Sequence, residues 1–267
     1  RRHRANVAPP DGKQGSDMSV SKWTYWTRML LRPSQICNDG VWMDIGTLAF
    51  KKQARDFYAD RHEAEERQVI RQRLRSTDIV LELGSGMGIV TTTCCQIAGS
   101  DSVYTFEANP KMEEVLRKNF DLNHVSPHLT MAMISAAEGT DEFHVSDKFL
   151  LSSRYESATR VSRAHVECTT VPTVSLQNVI KKVRPTFLVV DIEGGELELL
   201  NTSIDFSSVE RMCIEFHPHI IGDAKCGKII DALVRQGFYV SVEWSTGPVL
   251  YLERSLPAVA AVSAAAA

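Results

Sequence analysis

The chain has 267 residues, a net charge of −3 and a hydrophobic content of 43%. These values are typical of one soluble α/β domain with a small appendage, and they predict a sizeable core. The absence of a basic excess argues against nucleic acid as a partner. No apolar run approaches the ~18 residues that a membrane helix needs, and the basic first residues lack the apolar core of a secretory signal.

Six cysteines are scattered along the chain without a C-x-x-C pair and without metal-ligand spacing to histidine. This pattern argues against a zinc site and a disulfide framework, and it favours reduced, mostly buried thiols. We therefore expect a cytoplasmic protein without a membrane partner. The oligomeric state stays open, with a homodimer as one option.

The first part of the chain divides into an arm and a helical extension. Residues 1–20 are polar and contain two prolines and two glycines, which predicts a disordered arm. Residues 21–75 are predicted to form an N-terminal helical extension. Its tryptophan-containing segment, 21–31, is expected to pack on the main body, with a lid or a dimer contact as the alternative. The charges of residues 50–74 are expected to form a solvated face.

Residues 76–255 are predicted to form the main domain, because short apolar strands alternate there with helices. Such alternation predicts an α/β fold with a doubly wound, mostly parallel sheet covered on both faces. The last two strands are joined by a short turn and must form an antiparallel hairpin. An insert at about 140–170 is predicted to be a hairpin with a mobile tip, and residues 256–267 a disordered tail.

Residues 79–90, IVLELGSGMGIV, are the most distinctive stretch of this domain. They combine a short buried strand, three glycines at every second position and the start of a helix. Such a turn presents backbone N–H groups at a helix N-terminus to a ligand at close range. A Cβ at Gly84, Gly86 or Gly88 would hold the ligand off or clash in a turn with positive φ. The stretch predicts a loop that binds a nucleotide-like ligand.

Other polar residues follow the predicted strands at their carboxyl ends, where ligands bind in a doubly wound sheet. Glu107 lies 19 positions beyond Gly88, where a carboxylate can accept both hydroxyls of a ribose. The convergent set from four strands comprises Glu82, Glu107, Asp191 with Glu193, and Glu215 with His217. The sequence therefore predicts one site at this edge of the sheet.

Two classes of cofactor share this geometry. Nicotinamide enzymes favour G-x-G-x-x-G around a pyrophosphate, whereas the spacing here is G-x-G-x-G with Glu82 before it. A carboxylate there would repel a diphosphate and would suit a cofactor with an ammonium and a sulfonium group. The loop thus favours S-adenosyl-L-methionine. An NAD(P)-dependent oxidoreductase and a non-catalytic cofactor-binding protein remain as alternatives.

At this point the chain resembles a known family. ELGSGMG resembles the first motif of class I S-adenosylmethionine-dependent methyltransferases, and YTFEANP resembles their second. The segments RPTFLVVDIEGGELELL and RMCIEFHP are similar to the FkbM-type methyltransferases, whose hallmark is Asp-x-Glu-Gly-x-Glu followed by a strand ending in Glu. Asp191, Glu193, Gly194 and Glu196 match that hallmark. The resemblance implies a Rossmann-like fold and O-methylation of a small metabolite, a sugar or a polyketide-like product.

The resemblance also implies roles for single residues. Asp191 would lie at the reaction centre, and a base must accept the hydroxyl proton, worth typically 10²–10⁴-fold in rate. Asp191 ranks first for this role and His217 second, with Glu193 as a further candidate. The residues implied to bind the cofactor are Glu82, Gly84, Ser85, Gly86, Gly88, Glu107, Ala108 and Asp191.

Two further expectations concern a metal and the acceptor. Asp191, Glu193 and Glu215 offer oxygen ligands, but they form no conclusive ligand set, so no metal is predicted. The acceptor, a small hydroxylated molecule, is expected to lie between the helix at 23–31, the 146–165 insert and the loop after His217.

Overall fold

A computed structural model describes residues 20–46, 48, 51–52, 54–146, 166–200 and 204–255. In these ranges the strands are β1 (Gln35–Asn38), β2 (Val41–Asp44), β3 (Val80–Leu83), β4 (Val103–Glu107), β5 (His128–Met131), β6 (Met133–Ser135), β7 (Gly139–Ser146), β8 (Val166–Ser175), β9 (Phe187–Val190), β10 (Arg211–Glu215), β11 (Phe238–Val240) and β12 (Val249–Arg254). The α-helices are α1 (Lys22–Leu31), α2 (Ala54–Tyr58), α3 (Ala64–Arg73), α4 (Ile89–Ala98), α5 (Glu113–Leu122), α6 (Leu176–Val183), α7 (Pro218–Ile221) and α8 (Asp223–Arg235). None of these helices has the length and apolar character needed to cross a bilayer.

The main sheet has seven strands in the order β11-β12-β10-β9-β3-β4-β5. The five strands from β10 to β5 are parallel, whereas β12 runs antiparallel to both β10 and β11. The predicted doubly wound, mostly parallel sheet with an antiparallel C-terminal hairpin is confirmed. Strand order reverses between β3 and β9, so the crevice for a ligand opens at the carboxyl ends of these two strands.

Apolar strand residues form a core on each face of this sheet. Val80 and Val189 pack into one cluster with residues of α3, α4 and α5. Leu81 and Leu188 pack into a second cluster with residues of α6 and α8. Burial on both faces explains why these strands are continuous apolar runs. Each fully buried Leu or Val contributes about 1.5–3 kcal/mol to folding, which fixes the strand ends that carry the site.

The N-terminal extension contains the predicted helices and, in addition, the hairpin β1–β2, which the sequence reasoning left out. Asp39 and Gly40 form its turn with φ values of 47° and 77°. Asp-Gly is a favoured pair for such a turn, so the signal was present in the sequence. The side chains of Val41 and Met43 are fully buried in the first core cluster. The hairpin therefore belongs to the main body.

Helix α1 packs on the main body as expected, through Tyr25 and Met29, but Trp23 and Trp26 take no part in this packing and are 78% and 67% exposed. The expectation of a solvated charged face at 50–74 is wrong for part of α3. In α3, Arg67 is fully buried rather than solvated.

The buried guanidinium of Arg67 donates to Asp60 Oδ1 at 2.8 Å. Glu66, the neighbouring carboxylate, is only 4% exposed. Charges can be buried in this way where they are paired with each other or hold protons.

The apolar run at 129–137, LTMAMISAA, reads as one strand in the sequence but divides between two sheets. Its first part is β5 in the main sheet, and its second part is β6 in a three-stranded sheet of order β6-β8-β7. Strands β7 and β8, which pair antiparallel from Gly139 with Thr173 onward, lie at the predicted insert. Its tip, 147–165, lies outside the described residues, as do the predicted arm at 1–19 and tail at 256–267.

Candidate functional site

A cavity of about 400 Å³ lies at the carboxyl edge of the main sheet. Residues that follow four parallel strands line it: Gly84 and Gly86 after β3, Glu107 and Ala108 at the end of β4, Asp191 and Glu193 after β9, and Glu215 and His217 at the end of β10. Ligand cavities of this size are common in α/β proteins at the switch point. The structure thus brings together most of the residues predicted for the site.

Gly84 and Gly86 allow the loop after β3 to approach its neighbours. Gly84 has a φ of +89°, and a Cβ there would lie 1.7 Å from the backbone oxygen of Asp191. Gly86 has a φ of +51°, and its N–H donates to Glu107 Oε2 at 3.0 Å. Both positions therefore need glycine, and together they join the loops of β3, β4 and β9.

Gly88 and Ser85 have a different place from the predicted one. A Cβ on Gly88 would lie 2.8 Å from Phe120 Cε1, so this glycine lets α4 approach α5. The hydroxyl of Ser85 is buried and lies 2.5 Å from the hydroxyl of Thr105. Neither residue lines the cavity. Both residues were predicted to contact the cofactor. In the structure they instead support the loop from the side away from the cavity.

Glu82 also lies behind the loop. Its side chain is fully buried and accepts hydrogen bonds from the hydroxyls of Thr91, at 2.5 Å, and Thr105. Burial raises the pKa of the Glu82 carboxyl to about 8, although both hydroxyl bonds act to lower it. The expectation that Glu82 faces the ligand is corrected: this carboxyl ties α4 to β3 and β4.

Glu107 meets the cavity at the end of β4. Its Oε2 accepts the N–H of Gly86, its Oε1 accepts the N–H of Asn109 at 2.7 Å, and the residue is 8% exposed. Burial raises the pKa of this carboxyl to about 7 despite the backbone N–H donors. Each oxygen retains a lone pair for a further donor. Glu107 can therefore accept hydroxyl groups of a ligand in the cavity.

His217 is held by the carboxylate of Glu196, which was not predicted to contact it. Its Nδ1 lies 2.5 Å from Glu196 Oε1, and the fully buried Glu196 also accepts the N–H of Gly194. The Nε2 atom lies 3.6 Å from Asp191 Oδ1 and 3.5 Å from Glu193 Oε2. Burial lowers the pKa of His217, but Glu196 and Glu193 outweigh it, so the pKa lies above its usual value.

The cavity concentrates carboxyl groups that are hard to ionise together. Burial, with the nearby Glu215, raises the pKa of Asp191 well above its usual range. Burial raises the pKa of Glu193 to about 7. For Glu66, burial and a hydrogen bond with Glu215 raise the pKa to about 9. Several of these groups hold protons at neutral pH, and all would interact favourably with a cationic ligand.

The N-terminal wall of the cavity was expected from α1 but comes from residues 56–66, which run from α2 into the start of α3. The lining residues from this segment are Asp56, Arg61, His62, Glu63, Glu65 and Glu66. Among the described lining residues, none belongs to α1. One sequence signal could have found this wall: Glu66 shares a helical face with Val69 and Ile70, both buried. A carboxylate on an apolar face indicates a site more often than a solvated surface.

Two groups of described side chains bring donor atoms within 4.8 Å of one another. One is Asp191, Glu215 and His217 in the cavity, and the other is Glu142, His144 and Cys168 on β7 and β8. Mixed oxygen and nitrogen ligands can hold a divalent cation. The absence of a metal, predicted from the sequence, stays a prediction.

A doubly wound sheet with a glycine loop and an acidic strand end at its switch point defines a Rossmann-like cofactor-binding domain. The family model described as the methyltransferase FkbM domain matches residues 84–240. This is more than half of the chain, and the protein belongs to the FkbM methyltransferase family. The suspected family is confirmed, and with it S-adenosyl-L-methionine as the cofactor, which sets the nicotinamide alternative aside.

Relatives with named activities are more distant. A probable ribosomal RNA small subunit methyltransferase A from Thermococcus onnurineus (strain NA1) is 40% identical over 60 residues, 22% of this chain and 21% of that protein. The match thus spans about a fifth of that relative's length. Among solved structures, magnesium protoporphyrin IX methyltransferase (ChlM) from Synechocystis PCC 6803 with bound SAM is 14% identical with a TM-score of 0.44, covering 89% of this chain and 93% of that one. TYW2 from M. jannaschii in complex with AdoMet is 13% identical with a TM-score of 0.39, covering 84% and 88%.

Proposed function

We propose that this methyltransferase acts on a hydroxyl group of a small, non-anionic metabolite such as a sugar or a polyketide-like product. The observation that carries the proposal is one cavity shared by two sets of groups. The glycine loop and Glu107 form its cofactor side, and His217, with Glu196 behind it, forms its reactive side.

The cofactor side fits S-adenosyl-L-methionine. The backbone at Gly84 and Gly86 admits a ligand without a Cβ in the way, and Glu107 accepts the ribose hydroxyls. Because the pKa of Glu107 is about 7, two hydroxyl donors would favour its ionised form. When bound, the cofactor supplies an electrophilic methyl group, whose transfer forms a C–O bond and breaks the bond to a positively charged sulfur. The acidic cavity wall complements that positive charge.

On the reactive side, His217 is the base that the geometry favours over Asp191. With its proton on Nδ1, His217 donates a hydrogen bond to Glu196, which leaves the Nε2 lone pair directed to the cavity. Nε2 takes the hydroxyl proton as the acceptor oxygen gains its methyl group. Glu196, bonded to Nδ1, and Glu193, 3.5 Å from Nε2, stabilise the imidazolium that results.

The charge of the cavity decides the class of acceptor. Among the described lining residues Arg61 is the one arginine, and eight carry carboxyl groups: Asp56, Glu63, Glu65, Glu66, Glu107, Asp191, Glu193 and Glu215. Although several of these groups hold protons, the ionised ones would repel phosphate, which disfavours RNA as the acceptor although the named relative is a probable ribosomal RNA methyltransferase.

The compartment is also part of the proposal. All six cysteines lie among the described residues, none of them is in a disulfide, and four of them are buried. Free thiols in this number are typical of a reducing compartment, which supports the cytoplasm as the place of action.

The acceptor class is tested with a methyl-labelled donor. Purified protein is incubated with a panel of neutral hydroxylated metabolites and, separately, with ribosomal RNA. We expect label in the small-molecule products and none in RNA above the level of a His217→Ala variant. Label in RNA alone would overturn the proposal, and donor binding without any product would favour the non-catalytic alternative.

A further inference from the structure

Helix α1 presents a stripe of large apolar side chains to solvent. Its members are Trp23, Trp26, Leu30 and Leu31, which are between 67% and 82% exposed. Positions 23, 26 and 30 follow helical spacing and lie on one side of the helix. Other exposed large apolar residues in the described ranges are spread over β2, α8 and the C-terminal strands. A contiguous stripe of this kind marks an interaction surface.

The opposite side of α1 is fixed to the main body, so the stripe cannot turn inward. Arg28 Nη1 donates to Asn38 Oδ1 at 2.9 Å, and Arg28 Nη2 donates to the backbone oxygen of Cys37 at 2.8 Å. Tyr25 and Met29 pack against the first core cluster. The polar contacts thus lie toward the protein and the apolar stripe toward solvent, the reverse of an ordinary surface helix.

The charged residues of α1 and of the sequence that directly flanks it have one sign. From Val20 to Asn38 the sequence contains three cations, Lys22, Arg28 and Arg32, and no aspartate or glutamate, in a chain with a net charge of −3. Lys22 and Arg32 are exposed at the two ends of the helix. Tryptophan and leucine flanked by exposed lysine and arginine are the composition with which helices lie on anionic membrane surfaces.

We propose that α1 docks this protein on an anionic lipid surface, with Trp23 and Trp26 at the level of the headgroups. Lys22 and Arg32 contact lipid phosphate, and the rest of the domain remains in water. A second copy of the chain is a poorer occupant, because a twofold contact on this stripe would bring like charges together. The proposal is independent of the methyl acceptor.

The test uses the full chain with vesicles of phosphatidylcholine alone or mixed with phosphatidylglycerol. We expect co-sedimentation with the mixed vesicles and a blue shift of tryptophan emission. Trp23→Ser with Trp26→Ser should abolish both signals. Lys22→Gln with Arg32→Gln should weaken binding by about thirtyfold, because each cation near an anionic surface contributes about fivefold. Val242→Ser, a variant at another exposed apolar residue, should bind as the wild type does.

Two results would overturn the proposal. One is the absence of binding to mixed vesicles by the wild type while circular dichroism shows a folded protein. The other is a concentration-dependent dimer, seen by analytical ultracentrifugation and abolished by the double tryptophan variant, together with unchanged vesicle binding of that variant. That second result would assign the stripe to another copy of this chain.

Discussion

The Nδ1 atom of His217 lies 2.5 Å from Oε1 of Glu196, a fully buried carboxylate. This pair fixes the ring so that Nε2 faces the cavity beside Asp191 and Glu193. Glu196 is the last acid of the family hallmark, and its contact with His217 is one reason for an acid at that position. Glu196 follows a turn in which Glu193 and Gly194 have φ values of 39° and 94°. This turn brings the carboxylate of Glu196 next to Nδ1 of His217.

Replacement of His217 tests its role as the base. His217→Gln should lower kcat by about 10²–10⁴-fold, because no group then accepts the hydroxyl proton. Affinity for S-adenosylhomocysteine, measured by calorimetry, should change little. His219→Gln, at an exposed histidine next to the site, is the matched control and should retain kcat. A His217→Gln variant with kcat within threefold of the wild type would remove His217 from the mechanism.

The pH dependence of kcat separates His217 from the neighbouring acids. Glu196 and Glu193 raise the pKa of His217 above 6.5, and only the neutral ring accepts a proton. Activity should therefore rise with pH through a midpoint above 6.5. In Glu196→Gln this midpoint should move to lower pH, because a charge that stabilises the imidazolium is lost. An unchanged midpoint would show that another group titrates.

The affinity of the donor site should depend on the ionisation of Glu107. Its pKa is about 7 in the free protein, and the ionised form accepts ribose hydroxyls better. Affinity for S-adenosylhomocysteine should thus weaken as pH falls below about 7. Glu107→Gln should bind about tenfold to a hundredfold more weakly at pH 8, since bonds to a charged acceptor contribute about 1.5–3 kcal/mol.

The control for this measurement is Glu114→Gln, at an exposed carboxylate on α5. It should bind the ligand as the wild type does at every pH. Equal affinity of Glu107→Gln and the wild type by calorimetry would refute the ribose contact.

Alanine variants of Gly84 and Gly99 distinguish the loss of stability from a steric clash from the loss caused by backbone strain alone. Gly84 and Gly99 have similar φ values of +89° and +84°, but a Cβ meets Asp191 O at 1.7 Å in the first and nothing within 4 Å in the second. Gly99 has a φ of 84° and a ψ of 145°, a conformation that only glycine adopts readily, so Gly99→Ala should cost about 1–3 kcal/mol from backbone strain alone. Gly84→Ala should cost about 3 kcal/mol or more, because backbone must move. Equal melting temperatures would contradict the tight contact between the loops.

Glu66 should make stability fall as pH rises. Its pKa is raised from 4.5 to about 9 in the folded protein, so between these values the folded state holds a proton that the unfolded state releases. The free energy of unfolding decreases with pH across this window. Glu66→Gln needs no proton and should gain on the order of 4 kcal/mol relative to the wild type between pH 5 and pH 8. Denaturant unfolding at both values measures this, and a constant difference would contradict the burial of a neutral Glu66.

The cofactor side of the site could be predicted from the sequence because it depends on local patterns. Gly84, Gly86 and Glu107 follow short apolar strands, and parallel strands end at one edge of a sheet. Their order along the chain therefore sufficed to place them together. Asp191 and His217 follow from the same rule.

The direction of Glu82 could not be predicted from its charge. The carboxyl lies on a strand buried on both faces, and it points to the hydroxyls of Thr91 and Thr105. Those partners lie 9 and 23 positions further along the chain. A charge within an apolar strand can be satisfied by hydroxyls from neighbouring elements as well as by a ligand.

The N-terminal wall depends on tertiary packing. The segment with Glu63 and Glu66 is far from the strand ends in sequence, and its charged texture resembles an ordinary solvated helix. Only the packing of α3 beside β10 places these acids near Glu215. The one local sign of this wall in the sequence is that Glu66 shares a helical face with the apolar residues Val69 and Ile70.

The most direct test of the account is the identity of the atom that receives the methyl group. The protein is incubated with donor labelled with ¹³C in the methyl group and with the neutral acceptor that gives turnover, and the product is examined by NMR. We expect the product to show a methoxy signal, and we expect no such signal with the His217→Gln variant. A label on nitrogen or carbon, or a methoxy product formed equally well by His217→Gln, would contradict this expectation.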